Sequence, residues 1–316
     1  MKVAVFGTGA IGGYIGGSLG LDGHEVYFIA RGPHLEAIQA HGLTLRDVVK
    51  DAVVQERVVH APATNDPATI GPVDLVIFGV KAFDTEEAGS QCAPLMGPDT
   101  ALLTIQNGLD APAQLATRYG AERIIAGSTG YTATIIAPGI INRFPPSNNI
   151  GFAELAGAPR ARTHAIADAL THAGAAASVH DDARVVLYTK FLFLASIATV
   201  TAASRGAYGE VFTHPPTRAL YSALVDEIAS IAAAEGVVLT PELIEGRKGA
   251  SSSLSGTRIK SSLQRDFEKG RRTELDDLPG AVVRRGQQYG VPTPRFETLY
   301  AILSLAREYG YRYDGS

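Results

Sequence analysis

Cysteine occurs once in the 316 residues, at Cys92. That excludes an internal disulfide framework and a cysteine-built metal cluster, and it fits a reducing, cytoplasmic setting. Cys92 itself reads as a structural residue in a helix. A basic surplus is also missing, since 28 Lys and Arg against 32 Asp and Glu leave a net charge of −4. Nucleic acid and an anionic membrane surface are therefore not expected partners. The opening MKVAVFGTG lacks a basic region followed by a long apolar segment and a cleavage site, so no targeting signal is read. The apolar stretch Phe191–Ser204 has 14 residues, short of the roughly 20 that a membrane span takes. No internal repeat or low-complexity segment is evident.

What is present is an alternation. VAVFG (3–7), EVYFIA (25–30), DLVIFGV (74–80) and ALLTIQ (101–106) are nearly continuous apolar runs of strand length, as expected when both faces of a parallel sheet are covered. Helix patterns at 11–21, 34–41, 83–95 and 111–119 lie between them. Together they predict an α/β, Rossmann-type doubly wound sheet. From about 122 the segments RIIAG, TATIIA, GIINRF and NIGFAEL, broken by Pro138-Gly139 and Pro145-Pro146, predict a meander that extends this sheet. A helix over 160–173 and a strand over 175–180 follow. The remainder reads as helices at 182–204, 215–235, 240–248, 257–268, 273–290 and 294–308. The expected division is a dinucleotide-binding domain over 1–180 and an all-helical substrate domain over 181–316.

GTGAIG, Gly7–Gly12, is a GxGxxG turn that follows the first strand and opens the first helix. Gly7 permits the tight turn, Gly9 lets a pyrophosphate approach the backbone, and Gly12 lets helix and strand pack closely. The helix N-terminus then favours the anion. With Thr8, Ala10 and Ile11 these are candidate cofactor contacts. About 20 residues later, an enzyme that uses NAD places Asp or Glu to accept from the ribose hydroxyls. This chain has Ile29-Ala30-Arg31-Gly32. An arginine pairs with a 2′-phosphate, which favours NADP(H); the alternative is a solvated arginine. Lys81, in GVKAFD, either adds charge near that phosphate or is solvated. Asn107, in IQNGLD, sits where open α/β sheets bind ligands, although Asn-Gly is also plain turn chemistry.

Lys190, in YTKFLFLASIA, is alone in an apolar helix, with Leu194 and Ala198 four and eight residues later on its face. Desolvation lowers a lysine's pKa toward the working range of a general acid. A lysine that snorkels out of a core helix fits the same pattern, and both readings stay open on these residues alone. Glu274, after Arg271-Arg272-Thr273, reads either as a functional carboxylate or as an acid near a helix start capped by Thr273.

These pieces resemble the ketopantoate reductase (2-dehydropantoate 2-reductase) family over nearly the whole chain. The matching stretches are GTGAIGGYIG, IARGPHLEAIQAHGL, GVKAFDT, IQNGLD, the lysine of YTKF and SSLQRDFEKGRRTELD. The resemblance implies that Gly7 to Gly12, Arg31 and Lys81 hold NADP, with Ala133 counted beside them, and that Asn107 touches cofactor and substrate. It makes Lys190 the proton donor, Glu274 its partner near the nicotinamide, and Ser262 a substrate-binding serine. The implied reaction is the NADPH-dependent reduction of a 2-oxo acid, a small-molecule carbonyl substrate, to a 2-hydroxy acid by a homodimer.

The departures matter as much. The family's pantoate-forming enzymes carry asparagines four and eight residues after the lysine, and another ten residues further on. Here those places hold Leu194, Ala198 and Tyr208. A site stripped of hydroxyl-binding amides changes its substrate choice, so the expected substrate is bulkier or more apolar than ketopantoate. Arg205 and Tyr208 are candidates to hold its carboxylate or carbonyl, with a solvated helix end as the other reading of Arg205. The alternatives are a genuine 2-dehydropantoate 2-reductase of pantothenate biosynthesis, and a non-catalytic NADP-binding sensor.

Overall fold

A computed structural model describes residues 1–249 and 257–310. The chain divides into two compact units: Met1–Gln106 with Asp110–Val186, and Asn107–Leu109 with the residues from Leu187 onward.

In the first unit the apolar runs become the strands β1 (Lys2–Phe6), β2 (Glu25–Ile29), β6 (Val73–Phe78), β7 (Met96–Thr104) and β8 (Ile124–Thr129). They pair in parallel in the order β8-β7-β6-β1-β2. The short β5 (Ala63–Thr64) extends one side, while β11 (Asn149–Glu154), antiparallel to β8, and β12 (Ala176–Val179) extend the other, giving eight strands. Alternate residues feed two cores. Val3, Val5, Phe28, Leu75, Ile77 and Leu103 lie in one, and Ala4, Phe6, Val76, Phe78 and Leu102 in the other. A strand buried on both faces has no polar position to spare, which is why these runs read as unbroken.

Helices α1 (Ala10–Leu21), α2 (Gly32–His41), α3 (Thr85–Gln91), α4 (Ala111–Tyr119) and α5 (Ala161–His172) connect the strands. The helix expected over 83–95 is α3 flanked by two 3-10 turns. Cys92 lies at their junction, completely buried.

The expected meander is corrected. RIIAG and NIGFAEL do join the large sheet, but β9 (Ala133–Ala137) and β10 (Ile140–Arg143) build a second, four-stranded sheet with β3 (Leu43–Val49) and β4 (Ala52–Val59), in the order β4-β3-β10-β9. The β3–β4 hairpin was not read from the sequence. Its turn places Lys50 and Asp51 at φ of 49° and 65°, the paired left-handed conformation of a tight hairpin, without the Asn or Gly that usually marks one. Asp47, buried in this sheet, accepts from Arg143 Nε and Nη2 at 2.8 and 2.9 Å and from the Tyr14 hydroxyl at 2.6 Å. Burial alone would raise its carboxyl, but the hydrogen bonds from Arg143 and Tyr14 and the nearby guanidinium charges hold it below the ordinary value.

The described residues of the second unit form helices joined by loops, with no strand among them: most of α6 (Ala183–Ser204), then α7 (Tyr208–Thr213), α8 (Pro215–Ala234), α9 (Pro241–Lys248), α10 (Ser262–Glu268), α11 (Pro279–Tyr289) and α12 (Pro294–Tyr309). On α8, Tyr221, Leu224, Val225, Ile228, Ile231 and Ala232 form one buried stripe, the helical period expected of a core face. The buried Glu227 of that helix accepts from the backbone N–H groups of Arg295 and Phe296 and so closes the start of α12.

Two expected helix starts move and one helix is added. Helix α7 was not foreseen. Helix α10 starts at Ser262 and not at 257, and α11 starts at Pro279 and not at 273. Proline is pre-set for the first helical turn, and Thr273–Leu278 is a loop, so Thr273 caps nothing. Helix α6 runs past the expected apolar stretch on its N-terminal side. It is long and apolar enough to cross a membrane, but 72% of its most apolar window is buried within the protein, as in the core helix of a soluble protein.

Candidate active site

The glycine turn of the first unit is built to be filled by something other than a side chain. Gly7 has a φ of +89°, and a Cβ there would lie 2.8 Å from Val80. A Cβ on Gly12 would lie 2.7 Å from the Gly7 carbonyl oxygen, whereas one on Gly9 would meet nothing nearer than 4.0 Å. The turn is therefore tight on its inner side and open at Gly9. No side chain caps the start of α1, and its first turn holds no acid. The N–H groups of Ala10, Ile11 and Gly12 have no intrahelical partner. A pyrophosphate fits this cradle on geometry and on charge.

Thr8 serves the cradle from inside. Its N–H and its hydroxyl both donate to the Ile29 carbonyl, at 3.1 and 3.0 Å, which ties the turn to the end of β2 and commits both protons. Arg31 caps α2 at that same strand end and is exposed. It donates to Gln91 Oε1 at 2.9 Å and lies 4.0 Å from Glu87 Oε1. Lys81 follows β6, half-buried, at the head of a 3-10 turn. Ala133 starts β9, half-buried, in the strand that packs on α1.

The second unit gathers the ionisable groups. Lys190 on α6 is half-buried. Burial pushes its ammonium down to about 8, against the opposing pull of the Glu274 carboxylate. Glu274 is only 3% exposed, and Asn107 Nδ2 donates to its Oε2 at 3.4 Å. The residue after Asn107 explains how the amide gets there. Gly108 has a φ of +93°, and a Cβ on it would stand 3.3 Å from the Asp277 carbonyl. Asn107-Gly108 is thus turn chemistry and a partner for the carboxylate at once, two readings that the sequence had set against each other.

Of the apolar positions after the lysine, Leu194 is half-buried, but Ala198 is completely buried and presents no surface to a ligand. Arg205 ends α6 with a φ of 60°, a left-handed conformation uncommon for a non-glycine residue. Tyr208 begins α7, its ring edge-on to Phe193 at 6.0 Å, and burial, partly offset by Arg265, pushes its phenol up to about 12. Ser262 is the first residue of α10.

Two residues absent from the sequence reading hold these parts together. Ser261 accepts from the Gln264 N–H at 3.1 Å as the cap of α10 and from the Thr201 hydroxyl at 2.9 Å, which stitches α10 to α6. Gln264 Nε2 donates to the Arg205 carbonyl at 3.0 Å. The Ser-x-x-Gln spacing of a capping box was the available signal.

A glycine turn at a strand end with an uncapped helix start in the first unit, and a half-buried lysine with a buried glutamate in the second, fit a nicotinamide-dependent oxidoreductase. Comparison with known proteins narrows this. Residues 3–157 match the family model "Ketopantoate reductase PanE/ApbA" and residues 182–307 match that of its C-terminal part. The chain belongs to the ketopantoate reductase family. It is 31% identical to a 2-dehydropantoate 2-reductase of Mesorhizobium japonicum, over 97% of each chain. The solved 2-dehydropantoate 2-reductase of Geobacter metallireducens superposes with a TM-score of 0.89 at 26% identity, covering 97% of this chain and 100% of that one. D-mandelate dehydrogenase, solved with NADH and anilino(oxo)acetate, gives the same TM-score and identity over 98% and 99%.

Proposed function

We propose that the chain reduces a 2-oxo acid larger and more apolar than ketopantoate to its 2-hydroxy acid, with NADPH as the reductant. When bound, the nicotinamide supplies the hydride. The protein's own part is to hold a proton ready for the carbonyl oxygen, and Lys190 is the donor. The observation that carries this reading is the lowered Lys190 ammonium beside the buried Glu274. Burial makes the proton easy to give, and the carboxylate keeps it in place until it is needed. Asn107 steadies that carboxylate, and solvent returns the proton after each turnover.

Leu194 supports the substrate class, since it is an apolar side chain one turn beyond the proton donor where pantoate-forming relatives carry an amide. The likeness to a dehydrogenase of D-mandelate, whose oxidised counterpart is an aryl 2-oxo acid, points the same way. Arg31, directly after β2 in Ala30-Arg31-Gly32 where an enzyme that uses NAD carries Asp or Glu, supports NADPH. A homodimer and a cytoplasmic setting belong to the same reading, and light scattering tests the first.

The deciding experiment follows NADPH oxidation with ketopantoate and with phenylglyoxylate. The expected result is turnover of the aryl acid with kcat/KM of about 10⁴ M⁻¹s⁻¹ or more and at least about tenfold less for ketopantoate. Leu194→Asn narrows that gap. Equal or better turnover of ketopantoate overturns the substrate class. NADPH binding without turnover of any 2-oxo acid favours the sensor.

A further inference from the structure

We infer that Glu87 sets how strongly the chain prefers a 2′-phosphorylated nicotinamide dinucleotide over its unphosphorylated counterpart, by competing for the Arg31 guanidinium; this rests on Arg31 being the phosphate-binding cation. Three side chains of the first unit close a triangle at the end of β2. Arg31 Nη2 donates to Gln91 Oε1 at 2.9 Å, Gln91 Nε2 donates to Glu87 Oε1 at 3.3 Å, and Arg31 Nη2 lies 4.0 Å from that same oxygen. Glu87 and Gln91 are four residues apart on α3, so one helix face presents both acceptors to Arg31.

The Arg31 and Glu87 side chains are 68% and 69% exposed. An ion pair of this kind adds little to folding, and its partners exchange readily. A 2′-phosphate must draw the guanidinium away from both acceptors, and it then carries its charge to within reach of the Glu87 carboxylate. Glu87 therefore works against the phosphorylated cofactor twice, by competition and by repulsion. A ribose hydroxyl neither needs Arg31 nor feels that repulsion strongly. Gln91 is neutral, so it orients the guanidinium without repelling phosphate. Glu87 thus narrows a selectivity that Arg31 alone would make wide.

Fluorescence titration of NADPH and NADH at fixed ionic strength, on the wild type, Glu87→Gln, Arg31→Ala and the double variant, tests this. Glu87→Gln is expected to tighten NADPH about fourfold, a size set by one charge a few ångströms away in a wet, screened setting, and to leave NADH unchanged. Arg31→Ala is expected to weaken NADPH more than about tenfold, and in its background the Glu87→Gln gain falls below about twofold. If Arg31→Ala behaves so but Glu87→Gln moves neither cofactor, or moves both alike, the inference fails while Arg31 keeps its role. If Arg31→Ala leaves NADPH affinity unchanged, or the wild type binds neither cofactor, the role of Arg31 and the inference fail together.

Discussion

Raising the pH through 8 should switch off carbonyl reduction. The Lys190 ammonium is pushed down to about 8, so about nine-tenths of molecules carry its proton at pH 7 and about one-tenth at pH 9, whereas an ordinary lysine is still more than nine-tenths charged at pH 9. If Lys190 gives the proton, kcat/KM for a 2-oxo acid falls about tenfold between pH 7 and 9, with a single limb centred near 8. Glu274 pulls the lysine's pKa upward, so Glu274→Gln should move that limb to lower pH. Lys190→Arg, whose guanidinium holds its proton far above this range, should lose about a hundredfold or more in kcat. A flat profile to pH 10, or a Glu274→Gln limb that moves upward, refutes the assignment. The same shift has a thermodynamic side. Between about pH 8 and 10.5 the unfolded chain holds the lysine proton and the folded chain does not, so stability should rise with pH there, by about 3 kcal/mol across the window if no other group intervenes.

Gly12→Ala places a methyl against the Gly7 carbonyl and should cost about 1–3 kcal/mol of stability and most of the cofactor affinity, read by thermal unfolding and cofactor titration. Asp47→Asn leaves the Arg143 charge, 15% exposed, without its counter-ion, and should cost about 3–5 kcal/mol in urea unfolding. Because the Asp47 carboxyl is held below its ordinary value, its contribution is present above the usual carboxylate pKa and is lost as the pH falls through the lowered one; the wild type, but not Asp47→Asn, should show that acid-side loss. Burial pushes the Cys92 thiol well up, so a thiol reagent at pH 8 should label nothing until the protein unfolds, and labelling at a rate independent of denaturant contradicts the fold around α3.

The parallel sheet was legible because its strands are buried on both faces and connected by helices, so each run announces itself locally. Strands β3, β4, β9 and β10 behave differently. Val53, Val54 and Val58 of β4 and Ile135 and Ile136 of β9 are exposed, so those two strands carry no clean alternation of burial. Their partnership also depends on β10 pairing with β3, Ile140 opposite Thr44, which no local window contains. In the candidate site, Lys190 stood out as a lone charge among apolar residues. The approach of Asn107 to Glu274 spans 167 positions, and only folding brings them together. The start of α11 was misplaced although Pro279 marked it, because the charged run before the proline imitates a solvated helix face.

Asn107–Leu109 lie between β7 and α4 yet belong to the helical unit. No single cut of the gene can therefore separate the two units cleanly. A fragment that starts at Leu187 lacks the amide that steadies Glu274, and a fragment that stops at Val186 carries that amide with nothing to bind. On the ribosome Asn107 is made nearly a hundred residues before α6 is complete at Ser204, so the helical unit can take its final form only by closing on a loop already in place.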